Sequence, residues 1–100
     1  MRLLSIFILA GILCGGTNNA LSKASAAMKA GMYKEALGHI SVAQKTDETN
    51  PDVYRMKALL HEALDEPKLA LSAWRNCLKY SMDEFMSSEA KIHIQSLSAE

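Results

Sequence analysis

The chain is predicted to be all-α, a helical-hairpin solenoid of about five antiparallel helices, and three observations predict it. Apolar residues recur at three- and four-residue spacing along successive stretches. Helix boundaries separate those stretches and themselves recur at one fixed interval, breaker Gly31 answering to Asp65 and Tyr33 to Pro67. No stretch shows sustained strand alternation, and no Asn-Gly or Gly-Gly turn joins two β-type runs.

Residues 1–16 stand apart from this pattern. Arg2 supplies a positive start, Leu3 to Leu13 forms an apolar run, and Cys14-Gly15-Gly16 supplies small residues, the layout of a secretory signal peptide. Eleven residues at about 1.5 Å each reach about 16 Å, roughly half of a hydrocarbon core of about 30 Å, so a membrane span is not expected. Cleavage after Gly16 fits best and predicts an exported protein, periplasmic or secreted. Cys14 after an apolar run, followed by Gly-Gly-Thr-Asn-Asn, also resembles a bacterial lipoprotein leader, although Leu13 stands where a small residue is usual. Membrane attachment is expected only if Cys14 is lipidated. If Cys14 leaves with the leader, Cys77 is a single thiol, and its place in the repeat predicts burial rather than redox chemistry.

Thr17-Asn18-Asn19 carries N-cap residues, and Ala20 to Ala30 is rich in helix formers with small side chains. Gly31 supplies the left-handed residue that closes such a helix. In the next helix Tyr33, Ala36, Leu37, Ile40 and Ala43 share one face. Gly38 lies inside it, where it weakens the helix and is expected to permit close helix packing. Asn50 caps the third helix and Pro51 takes its first position. That helix is expected to end at Asp65-Glu66, and Pro67 starts a fourth, with Leu71, Trp74 and Leu78 on one face. Ser81 and Glu84 are spaced as a capping box for a fifth helix ending near Leu97. Its apolar residues Phe85, Met86, Ala90, Ile92, Ile94 and Leu97 are spread more broadly than before.

One constant offset pairs Lys23 with Lys57, Ala24 with Ala58, Lys34 with Lys68, Ala36 with Ala70, Leu37 with Leu71 and Lys45 with Lys79. Large Ile40 meets Trp74 and small Ala43 meets Cys77. An offset of about 34 residues with two helices per unit means stacked helical hairpins. The segment Gly31-Met32-Tyr33-Lys34-Glu35-Ala36-Leu37 resembles the turn and second-helix start of the tetratricopeptide repeat (TPR) family. That family's small residues fall on Ala36, Ala70, Ala43 and Cys77, its large ones on Ile40 and Trp74, and a first-helix aromatic on Tyr54. The first helix departs most, with Ala20, Lys23, Ala24 and Ala27 where Trp, Leu, Gly and Tyr are usual. The resemblance implies a first repeat over residues 17–50, a second over 51–84, and a capping helix and tail over 85–100.

Composition narrows the function. Apolar residues make up 49% of the chain, and Lys plus Arg equals Asp plus Glu at 11 each. A disordered tail is excluded and no global field attracts nucleic acid. His39, His61 and His93 are too scattered for a metal site, and no phosphate loop, nucleophile elbow or dinucleotide fingerprint is present. The expectation is no enzyme and no cofactor. The resemblance implies a protein–protein interaction module or assembly adaptor that binds a peptide or helix on its concave face. In this register that face carries Asp52, Arg55, Met56, Leu59, Glu62 and Ala63, then Glu89, Ala90, His93 and Leu97. The family's carboxylate clamp is not expected, because Leu21 and Ser25 occupy its place. Alternatives are a lipid-anchored part of a membrane-assembly complex, and a helical bundle enclosing a small apolar ligand. About three repeats are usually needed for stability. Either this domain is marginal, or a partner, another protein or a second copy, covers exposed apolar surface.

Overall fold

The structure, a computed structural model, describes residues 17–99. The leader expected over residues 1–16, with Cys14, lies outside the described residues. Five helices follow one another: α1 (Thr17–Lys29), α2 (Tyr33–Thr46), α3 (Pro51–Ala63), α4 (Pro67–Tyr80) and α5 (Glu84–Ser98). There is no strand among the described residues. Packing is between chain neighbours, strongest within the pairs α1–α2 and α3–α4, with α5 laid on α4. The protein is all-α, a repeat-like stack of helical hairpins with antiparallel neighbours.

Both hairpins have the same boundaries one period apart. Thr17 and Pro51 open the first helices, Lys29 and Ala63 end them, Tyr33 and Pro67 open the second helices, and Thr46 and Tyr80 end those. The turns match in backbone detail. Gly31 has φ 79° and Asp65 has φ 58°, both left-handed. Gly31 N–H donates to Met28 O at 3.0 Å and Met32 N–H to Ala27 O at 2.8 Å. Asp65 N–H donates to Glu62 O at 3.0 Å and Glu66 N–H to His61 O at 2.8 Å. These paired bonds form a Schellman motif, which satisfies carbonyls that a helix end leaves free. Asp65 adopts the left-handed state that few side chains tolerate, and aspartate is among those few.

Burial repeats as well. Ala20, Ala24, Ala27, Ala36, Ile40 and Ala43 are buried, and so are their counterparts one period on, Tyr54, Ala58, His61, Ala70, Trp74 and Cys77. The first core joins α1 and α2 to Val53 and Leu60 of α3. The second joins Tyr54 and Ala58 of α3 to α4 and to Ala90 of α5. Burying Trp74 or Ile40 is worth roughly 1.5–3 kcal/mol each. In α1 the buried residues are all alanines, with Leu21 and Met28 packed partly buried beside them.

Four sequence expectations are corrected. Thr17–Asn19, expected as a capping stretch ahead of a helix from about Ala20, are already helical in α1. α3 stops at Ala63, since the turn takes Leu64 and Asp65. Asp83, rather than a Ser81–Glu84 box, caps α5: its Oδ1 accepts from Phe85 N–H at 2.7 Å and Met86 N–H at 3.2 Å. Ser81 instead braces the turn, its Oγ donating to Asp83 O at 3.0 Å. Gly38 is exposed, and a Cβ there would meet nothing within 4 Å, so it serves no close approach.

The two glycines of this region should respond to substitution with opposite signs. Gly38→Ala should raise stability by about 0.5–1 kcal/mol, whereas Gly31→Ala should lower it by at least about 1 kcal/mol, because only Gly31 needs a left-handed backbone. Thermal melting followed by circular dichroism reads both signs, and a lower melting temperature for Gly38→Ala would refute the assignment. Ala36 and Ala70 are fully buried on the second helices. Leucine at either position should cost about 1–3 kcal/mol through overpacking. Unchanged denaturant midpoints for both variants would exclude tight hairpin packing at these residues.

Candidate docking groove

The first helices α3 and α5 lie side by side, joined by charged and aromatic side chains. Arg55 donates to Glu89 through Nε at 2.6 Å and Nη2 at 3.0 Å, a two-bond contact between residues one period apart. Glu62 accepts from Trp74 Nε1–H at 2.6 Å, and His93 Nδ1 lies 2.8 Å from the same oxygen. A carboxylate only accepts, so the His93 ring proton sits on Nδ1. The His93 ring stacks on Trp74 with centroids 4.3 Å apart. α5 is thus tied to α3 and α4 by a network anchored in the second core through the Trp74 indole.

Beside this network an open groove of about 580 Å³ is lined by Arg55, Asp83, Phe85, Met86, Ser88, Glu89, Ile92 and His93. Its outer wall is apolar and wet: Phe85 is 89% exposed and Ile92 67% exposed. Met82, at the turn into α5, is 99% exposed. Hydrogen bonding to Arg55 holds the Glu89 carboxyl below its usual range, against the opposing effect of burial. The same contact raises Arg55. The pair is a fixed, paired edge of the groove rather than a free charge.

The residues expected on the concave face are divided by this geometry. Arg55 and His93 line the groove, with Glu89 between them. Glu62 is engaged by Trp74 and His93 behind the wall. Met56 packs against the first core and Leu59 against the second, each half-buried. Asp52 is exposed, and its backbone N–H is bound to Asn50 Oδ1 at 3.0 Å. Ala90 is fully buried against α4 and Leu97 packs beside it, so Ala90 offers no contact surface. Ala63 is exposed at the end of α3.

The chain matches no protein-family profile, no curated protein and no solved structure. The groove residues are therefore read on their own chemistry. Cys77 is buried and its thiol is pushed up to about 11, chiefly by burial, so it stays protonated and inert near neutral pH. Among the described residues no cluster of three or more His, Cys, Asp or Glu could hold a metal ion. None of the described helices is long and apolar enough to cross a membrane.

Phe85, Met86 and Ile92 were not expected in a site, only in an apolar pattern broader than usual. That breadth was the sequence signal, and it did not say which of these apolar residues α4 would leave uncovered.

The Glu89 carboxyl has a depressed value in the folded chain, so its contribution is present above the unfolded value of about 4.3 and is lost as pH falls through the folded value. Its side chain is 32% exposed and that of Arg55 40% exposed, which limits the contribution to about 1 kcal/mol or less. In urea titrations at a series of pH values, Glu89→Gln should flatten the expected loss of stability below about pH 4. An identical pH profile for the variant would exclude this pair as the acid-sensitive contact.

Proposed function

We propose that this chain is an exported TPR-type adaptor that holds another protein by taking an amphipathic helix or extended peptide into the groove beside α5. The observation that carries this reading is the exposure of Phe85 and Ile92 in a groove whose other edge is the rigid Arg55–Glu89 pair. Water-exposed apolar residues on a structured helix are a docking surface more than a folding contact. Covering each would gain roughly 1.5–3 kcal/mol, and the paired edge would set orientation at little desolvation cost. The matched boundaries and turns of the two hairpins support the TPR assignment. The Arg2 to Gly16 leader supports export.

Affinity capture from the native source tests the reading. Partners recovered with the parental chain should be lost, by at least about ten-fold, from a Phe85→Ser, Ile92→Ser variant that keeps its helical circular dichroism. Retention of the same partners by that variant would remove the groove from the function. The leader reading is tested on the same material by mass: a free N-terminus at Thr17 supports release, and an acylated Cys14 supports the lipid-anchored alternative.

A further inference from the structure

A first helix in this stack has two packing faces. One meets the preceding second helix: Val53, Met56 and Leu60 of α3 join the core of α2, and Met86, Ala90 and Ile94 of α5 join that of α4. The other meets the second helix of the same hairpin. It carries Ala20, Ala24 and Ala27 on α1 and Tyr54, Ala58 and His61 on α3, and all six are buried. One period on, this second face of α5 carries Ser88, Ile92 and Gln95, and all three are exposed.

The opposite end of the stack is different. The face of α1 equivalent to Val53, Met56 and Leu60 carries Asn19, Ser22 and Ala26, exposed and with no large apolar side chain. Joining copies head to tail would set Phe85 and Ile92 against this polar surface, a poor match. A self-complementary contact between identical faces avoids the mismatch and closes after two copies.

The spacing on α5 suits that closure. Phe85, Ser88, Ile92 and Ser96, continued by Ala99 at the C-cap of α5, form one exposed stripe opposite buried Ala90. Their steps of three, four, four and three positions read the same in both directions from Ile92. We infer that α5 pairs antiparallel with α5 of a second copy about a two-fold axis at Ile92. Ile92 then meets the partner's Ile92, Ser88 faces the partner's Ser96, and Phe85 covers the partner's Ala99. The serines flanking the axis let the two helices approach closely, and each bulky end residue falls on a small one. The inference rests on reading this groove as a helix-docking site, and it names one occupant of it.

The test is sedimentation equilibrium of the purified chain from roughly micromolar to millimolar concentration. A weak dimer is expected, because one helix pair buries less than a standard interface of about 1,200–2,000 Å². The average mass should climb from one chain towards two, and Ile92→Glu should weaken association at least ten-fold with helicity kept. Phe85→Ser, at a position 89% exposed, supplies a second variant that cannot act through the core. Under mild oxidation, Ser88→Cys mixed with Ser96→Cys should give a mixed disulfide dimer beyond the background of Cys14 and Cys77, and neither alone should. One-chain mass at every concentration, parental association of both variants, or self-linking of Ser88→Cys equal to the mixed linking would each overturn the pairing. A monomer that still captures a heterologous partner through this groove would overturn the pairing alone. Loss of capture with the dimer intact would overturn the adaptor reading alone.

Discussion

Close approach of two helices through buried alanines is the constraint on which the rest of the structure depends. Ala24 and Ala36 are fully buried in the first hairpin, and Ala58 and Ala70 in the second. With so little side chain at these positions, the helix backbones come near enough for Ile40 and Trp74 to fill the space farther along. Protein interiors tolerate few voids and little excess volume, so one small residue sets the spacing of a whole hairpin. The Schellman turns at Gly31 and Asp65 serve the same end, reversing the chain within a few residues so that the alanine faces meet.

Because both units obey this constraint, the chain behaves as a one-dimensional stack in which each element contacts its neighbours. The consequence is felt at the ends. Among the described residues α3 buries two faces, whereas α1 and α5 each leave one in water. On α1 the spare face is made of Asn19, Ser22 and Ala26, which water solvates readily. On α5 it includes Ile92 and is bordered by Phe85, which water does not.

The polar network across α3, α4 and α5 makes that surface rigid. Trp74 is at once the largest buried side chain and a hydrogen-bond donor to Glu62, which also engages His93. Core packing, through Trp74, therefore holds the helix that borders the groove. Arg55 and Glu89, tied by two hydrogen bonds, fix the groove edge one period apart. No buried polar side chain among the described residues is left without a partner.

Much of the fold was legible in the chain alone, because its signals are local. Periodicity, Gly31, Asn50-Pro51 and Pro67 act within a turn or two, and the repeat period follows from their recurrence. The sequence by itself determined an all-helical stack, its hairpin boundaries to within a few residues, and the burial of Ile40, Ala43, Trp74 and Cys77. It did not determine which apolar residues of α5 would be covered. Ala90 and Ile92 are both apolar and two residues apart, and only the position of α4 sends one inward and leaves the other in water. Nor did it place Glu62 behind the groove rather than in it, since that depends on Trp74 and His93 arriving from two other helices. Contacts between elements distant in sequence carry no local signature, and the Glu62–Trp74–His93 network and the Arg55–Glu89 edge of the groove are made of such contacts.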